Sequence, residues 1–275
     1  ALACAVLWLL GACGTSSEAV DEVQQSITWG VKDTTGKYAN VGAMMAMLAP
    51  DYGGIAIPFC TGTLVHPRVF LTAGHCTAAL EHYLAVGIVT GVGVSFAADP
   101  VGKPWLEVSQ MVTHPGFGHD SGDLMDVGAM VLAAPAKGIA PATIAPVGFL
   151  DELRAQGALK QGNDRALLLK VGYGASLEWP PAIIYYEDQR QYAHSQFQNL
   201  RPAWLQMSQN NAATDQGGTC YGDSGGPAFW TTDEGELVLV GLTSWGDTQC
   251  VASGVDYRVD IPQTLDFLAG VIAGL

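Results

Sequence analysis

Gly217-Gly218-Thr219-Cys220-Tyr221-Gly222-Asp223-Ser224-Gly225-Gly226-Pro227 is the stretch on which the reading of this chain turns. Glycines on both sides of a single serine let backbone approach backbone closely. Such a loop can aim two N–H groups at one point beside a hydroxyl, which is what stabilising an oxyanion during acyl transfer demands. A serine hydroxyl alone is a weak nucleophile, so the chemistry needs a base and a carboxylate elsewhere in the chain. A Gly-rich turn with an incidental serine is the competing reading, because short motifs also match by chance.

The histidines decide what kind of serine chemistry is open. His66, His75, His82, His114, His119 and His194 all precede Ser224. That order excludes an α/β-hydrolase, whose nucleophile comes before its acid and its histidine. His75 ends the run Val69-Phe70-Leu71-Thr72-Ala73-Gly74-His75-Cys76. An imidazole at the end of a β-run, next to a cysteine, is rigidly supported. His66, His82 and His194 read as structural or surface histidines, and His114 and His119 lack the helical H-E-x-x-H pattern of a zinc site, so no metal is expected. Asp126 opens the apolar run Asp126-Val127-Gly128-Ala129-Met130-Val131-Leu132. A carboxylate entering such a run is costly to bury without a partner, and a histidine N–H would supply one. Asp123 lies further from the run and reads as a turn residue.

The bulk numbers fit a soluble extracellular protein. The chain has 275 residues, a formal net charge of -14 and only 14% charged residues against 49% hydrophobic ones. That acidity argues against nucleic acid, whose phosphates attract lysine and arginine. Short apolar runs are spaced by Gly, Pro, Asn and Asp, with candidate strands at 41–48, 61–65, 69–72, 83–89, 105–113, 128–132, 166–171, 228–230, 238–244 and 255–259. This is the spacing of an all-β sandwich or barrel, not of a parallel α/β sheet. Residues 262–273 have the apolar periodicity of a short C-terminal helix that starts after Pro262, and residues 177–216 read as a polar and aromatic surface excursion.

The apolar run through Leu10 is too short to span a bilayer and reads as part of a signal peptide over residues 1–13. Leu10-Gly11-Ala12-Cys13 is similar to a lipobox, in which Cys13 would carry a lipid and tether the protein to a membrane; an ordinary signal peptide is the alternative. Residues 14–26 are polar and acidic, a tether or propeptide. With Cys4 and Cys13 assigned to targeting, Cys60, Cys76, Cys220 and Cys250 form the even set of an exported domain. Three connectivities are open to them, and local pairing would join Cys60 to Cys76 and Cys220 to Cys250. The expected location is secreted, periplasmic or on the outer surface.

Phe59-Cys60-Thr61-Gly62-Thr63-Leu64, Leu71-Thr72-Ala73-Gly74-His75-Cys76, Asp126-Val127-Gly128-Ala129-Met130, Val171-Gly172-Tyr173-Gly174, Gly222-Asp223-Ser224-Gly225-Gly226-Pro227 and Thr243-Ser244-Trp245-Gly246 together resemble the chymotrypsin/trypsin family of serine proteases. The resemblance implies two antiparallel six-stranded β-barrels, about 27–140 and 141–260, with the active site between them, and the two local disulfides. It implies a Ser224–His75–Asp126 triad and an oxyanion hole of the Gly222 and Ser224 N–H groups. Ser244 would bond the aspartate, and Ser244, Trp245 and Gly246 would line the cleft. Ile27-Thr28-Trp29-Gly30 resembles the family's mature N-terminus, so a cut after Ser26 would free an amine to pair with Asp223. Gly218, Thr219 and Gly254 would border an open, uncharged primary pocket for a large apolar residue, unless Asp256, at its back wall, supplies a negative charge.

Departures from the family pattern qualify these expectations. Gly74 stands where alanine is usual, and Ser26 is not the usual basic residue before an activating cut. The further disulfides of animal members are absent, which fits a bacterial protein. Glu81 stands alone where animal trypsins carry a calcium loop, so no cofactor is expected. The reading is a monomeric serine endopeptidase acting on proteins or peptides and made as a zymogen. The alternative is a catalytically silent binding protein on the same scaffold.

Overall fold

An exposed strand edge offers unpaired N–H and C=O groups to other chains, and closing a sheet on itself removes its edges. A computed structural model describes residues 27–275 apart from 121, 164, 179–182 and 187, with the backbone alone for 176–185. Residues 1–26, on which the expected targeting and propeptide segments fall with Cys4, Cys13 and Ser26, lie outside the described residues. The strands are β1 (Val31–Lys32), β2 (Val41–Leu48), β3 (Ala56–His66), β4 (Val69–Thr72), β5 (Val89–Ser95), β6 (Leu106–Thr113) and β7 (Gly128–Leu132), followed by β8 (Thr143–Ile144), β9 (Leu167–Gly172), β10 (Ser176–Glu178), β11 (Ile183–Tyr185) and β12 (Gln191–Leu200). The last four are β13 (Trp204–Ser208), β14 (Pro227–Thr231), β15 (Leu237–Gly246) and β16 (Ser253–Arg258). Helices are few: α1 (Gly74–Ala85), α2 (Phe149–Ala155), α3 (Asn211–Thr214) and α4 (Pro262–Ala273).

Two six-stranded antiparallel barrels result. The first closes in the order β2-β3-β4-β7-β6-β5, and the second runs β12-β13-β16-β15-β14-β9 and closes through the β9–β12 pairing. β1 joins the second barrel at β12, β8 lies parallel to β15, and β10–β11 form a separate hairpin.

The barrels share a core. Val41, Leu71 and Val127 from the first pack in one cluster with Val171, Tyr173 and Tyr257 from the second and Leu268 of α4. Polar groups also cross between them. Arg190 donates to the Asp33 carboxylate at 2.9 Å and to the carbonyls of Val41 and Phe96 at 3.1 and 3.0 Å. The Tyr173 hydroxyl donates to the Ala97 carbonyl at 2.8 Å. These buried groups are satisfied across the seam, so the barrels are held in one register rather than merely touching.

Two local expectations are corrected. Residues 83–89, expected as a strand, instead end α1 and lead into β5. The segment from Gly74 is rich in alanine and leucine, and its buried positions Cys76, Thr77 and Leu80 fall on one helical face. Residues 177–216, expected as a surface excursion, contain β12 and β13, two walls of the second barrel. β12 buries alternate residues Gln191, Ala193, Ser195 and Phe197. Its period of two is intact, but the inward side chains are mostly polar or small, so the hydrophobic signal is weak.

Candidate active site

β4 ends at Thr72, and α1 begins two residues later, so the chain turns just where His75 must leave the barrel rim. Cys60 of β3 is bonded to Cys76 at the start of α1, tying the helix to the sheet beside that histidine. Asp126 sits at the entry to β7, and its side chain is 2% exposed while that of His75 is 35% exposed. One carboxylate thus gathers three donors. His75 Nδ1 lies 2.9 Å from Asp126 Oδ2, the His75 backbone N–H donates to Oδ1 at 2.8 Å, and the Ser244 hydroxyl donates to Oδ2. Burial pushes the Asp126 carboxyl up, but the His75 bonds and charge and the Ser244 hydroxyl outweigh it and hold it below the ordinary carboxylate value. Asp123, the competing acid, accepts from the Tyr257 hydroxyl at 2.7 Å and from Met125 N–H at 3.1 Å, which anchors the loop before Asp126.

The serine loop is clamped from both barrels. Thr61 of β3 donates its N–H to the Ser224 carbonyl at 2.9 Å and its hydroxyl to the Gly222 carbonyl at 3.0 Å. Gly225 N–H donates to the Thr243 carbonyl at 2.7 Å. Gly222 has φ +98°, and a Cβ there would stand 2.9 Å from the Gly174 Cα, so only glycine lets the loop pass. Among the described residues, the N–H groups of Gly222 and Ser224 make no hydrogen bond. Thr61 belongs to a recognisable motif, yet its part in holding this loop follows only from the contact across the seam.

Asp223 is fully buried over Gly172 and Gly174, where a Cβ would meet its carboxylate oxygens at 2.0 and 2.5 Å. Gly174 N–H and Cys220 N–H donate to it at 2.8 and 2.9 Å. Burial pushes this carboxyl up to about 7, against the pull of the two N–H groups and the charge of Lys170. Ile27 is buried as well, and Thr28 bridges to Gly218, so the N-terminal segment is docked beside the serine loop. In this chain the Ile27 nitrogen belongs to a peptide bond and carries no charge. Ile27 and Trp29 have φ of +50° and +62°, an unfavourable region for a β-branched or bulky residue.

A pocket of about 300 Å³ opens beside Ser224, lined by Thr219, Tyr221, Thr243, Ser244, Trp245 and Gly246 among others. The Cys220–Cys250 disulfide braces its wall. The expectation of an open, uncharged pocket is corrected on both counts: Asp247 is among the residues that line it, and the side chain of Gln209 fills the space between Gly218 and Gly254. The expected reach of Asp256 into this pocket is also corrected. Asp256 is fully buried inside the second barrel and paired with Lys170, because its position on β16 faces inward. Neither Gln209 nor Lys170 lies in a motif that marks it.

Among the described residues, the grouping closest to a metal site is Cys60, His75 and Cys76, whose sulfurs are already bonded to each other and offer no thiolate. No helix among the described residues is long and apolar enough to cross a membrane.

Comparison with known proteins bears on this arrangement. The family model described as Trypsin matches residues 33–267. A trypsin of Saccharopolyspora erythraea is 29% identical over 209 residues, covering 74% of this chain and 80% of its own. Trypsin-1 of Astacus astacus is 25% identical over 228 residues, covering 75% and 87%. The solved structure of HL collagenase superposes with a TM-score of 0.62 at 17% identity over 90% of this chain and 99% of that one, a likeness of fold.

Proposed function

The chain belongs to the trypsin family of serine endopeptidases, and on that premise we propose that it hydrolyses peptide bonds through an acyl-enzyme formed on Ser224. The observation that carries this reading is the single Asp126 carboxylate that receives His75 Nδ1, the His75 backbone N–H and the hydroxyl of Ser244, a residue that lines the Ser224 pocket.

Ser224 Oγ attacks the scissile carbonyl carbon while His75 Nε2 takes its proton. Asp126 holds the imidazole in the tautomer with Nδ1–H and stabilises the imidazolium. The N–H groups of Gly222 and Ser224 receive the oxyanion; losing one such donor typically costs roughly 3 kcal/mol of transition-state stabilisation. Collapse of the tetrahedral intermediate expels the amine, which takes the proton from His75. Water, deprotonated by His75, then attacks the ester, and Ser224 regains its proton as the acid product leaves.

The protein is made as a zymogen. Cleavage after Ser26 releases Ile27 from its unfavourable backbone angle and creates an ammonium group within a segment already docked beside the loop of Asp223. That ammonium pairs with the buried Asp223 carboxylate and sets the Gly222 N–H for the oxyanion. The enzyme is exported, with a lipid on Cys13 as its tether to the membrane.

Active-site titration with a fluorophosphonate tests the core of this reading. Stoichiometric labelling of Ser224 in protein that begins at Ile27, and little labelling of the uncut chain, are expected. No labelling of the processed protein favours a silent binding protein on the same scaffold. Mass and N-terminal sequence of the mature protein test the cut at Ile27 and the lipid on Cys13.

A further inference from the structure

Gly218, Gly246 and Gly254 leave a slot without side chains of its own behind the pocket of Ser224. A Cβ on Gly218 would stand 2.2 Å from Gln209 Oε1, one on Gly254 2.9 Å from the same atom, and one on Gly246 3.8 Å from Gln209 Nε2. The slot is shaped around a carboxamide. Gln209 Oε1 accepts from the Thr219 N–H and, at 3.1 Å, from the Thr219 hydroxyl. A backbone N–H can only donate, so this contact sets the orientation of the amide, with its oxygen at Thr219 and Nε2 on the side of Gly246.

Gln209 is 2% exposed, and Nε2 has no hydrogen-bond partner among the described residues. The buried hydroxyl of Thr243, which lines the same pocket, has none either. A buried donor left unmet keeps its desolvation cost, and that cost is recovered when a bound group supplies an acceptor. The slot therefore holds one donor that needs an acceptor, and the wall of the Ser224 pocket one hydroxyl that can take either role.

We propose that Gln209 reads the substrate residue on the N-terminal side of the scissile bond, P1, and that the enzyme selects a carboxamide side chain there, glutamine or asparagine. This rests on the endopeptidase reading above. The substrate carbonyl oxygen accepts from Gln209 Nε2, and its NH₂ donates to Thr243 Oγ1. Other P1 classes leave groups unmet. An apolar side chain satisfies neither. A lysine or arginine brings only donors to a donor; Asp256 is committed to Lys170, and the carboxylate of Asp247 in the pocket lining already accepts the N–H groups of Val251, Ala252 and Ser253. A carboxylate meets no cation among the residues that line the pocket. It meets instead Asp247, whose carboxyl is pushed up by burial but held below its ordinary value by the N–H groups of Ser253, Val251 and Ala252.

The test is a panel of fluorogenic peptides differing only at P1, carrying Gln, Asn, Glu, Leu, Phe or Arg, hydrolysed by protein beginning at Ile27 and titrated with a fluorophosphonate. kcat/KM for P1 Gln or Asn should exceed that for Leu by about tenfold or more. Equal or faster cleavage after Leu, Phe, Glu or Arg overturns the proposal. Gln209→Leu should bring the Gln-to-Leu ratio down by about tenfold while the titre of labelled Ser224 stays the same. An unchanged ratio overturns it. Gln209→Glu keeps the shape and replaces the donor by an acceptor, and should move the preference toward Arg; continued preference for Gln counts against Nε2 as the reader. An unlabelled Ser224 sinks the endopeptidase reading and this proposal with it, whereas a labelled Ser224 with another P1 preference sinks this proposal alone.

Discussion

Lys170 donates a hydrogen bond to Asp256 Oδ2 inside the second barrel, with 1% and 0% of their side chains exposed. Burial pulls the lysine down from its ordinary value, while the charges of Asp256 and Asp223 push it back up. Lys170 shares a strand face with Gly172, over which Asp223 lies, so the same ammonium serves two buried acids.

Removing one member of such a pair strands a buried charge. Lys170→Met is expected to destabilise the protein by about 3–5 kcal/mol, whereas Lys170→Met combined with Asp256→Leu recovers a large part of that loss. Urea denaturation of the three proteins measures it, and equal stability of the single and double variants would contradict the pairing.

Asp126→Asn keeps the shape of the acid but loses the Nδ1–H tautomer of His75. We expect kcat to fall by about 10⁴ with the fold intact. Ser244→Ala removes one hydrogen bond to a charged group, so kcat/KM should fall by roughly tenfold to a hundredfold. Steady-state kinetics on titrated enzyme separates the two effects; a Ser244→Ala protein as fast as wild type would show that the hydroxyl does not help position Asp126.

The carboxyl of Asp223, raised to about 7, gives the uncut chain a distinctive pH dependence. Unfolded, this group ionises near 4; folded, it keeps its proton to about 7, so the folded state binds more protons in between. Stability therefore falls as pH rises from about 4 to about 7 and levels off above it. Asp223→Asn should remove this part of the slope, a difference on the order of a few kcal/mol at pH 8. Denaturation of both uncut proteins across that range checks it. In the protein cut before Ile27, the same substitution should instead lower kcat.

The Cys220–Cys250 bond joins the serine loop to the turn across the pocket, at a sequence separation of 30. Replacing both cysteines by serine should cost about 3–4 kcal/mol in the chain-entropy estimate and raise KM as the pocket wall loosens. Thermal unfolding and peptide kinetics on the double variant report the two effects separately.

Much of this protein is legible in its sequence, because several features are local. Glycine at Gly222 is demanded by the backbone angle of the loop itself. The order of His75, Asp126 and Ser224 removes the α/β-hydrolase alternative, and the strand runs near 41–48, 69–72 and 128–132 coincide with β2, β4 and β7. Legibility fails where neighbours rather than composition decide. β12 looks polar because its inward positions are filled by Gln191 and Ser195, whose burial depends on barrel closure. The 83–89 run is apolar enough for a strand, but its first three residues end the helix begun at Gly74 and the rest leads into β5.

The sequence by itself supplied an all-β pattern, an even set of four cysteines and the candidates for serine, base and acid, since these follow from residue type and order; the two barrels and the local disulfides came as what the resemblance of its motifs to the family implies. Only the tertiary structure decided that Asp256 turns inward to Lys170 and that Gln209 enters the slot between Gly218 and Gly254. Which way a side chain in or beside a barrel strand faces, and which group it meets, is set by register around a closed barrel. No local pattern encodes that register.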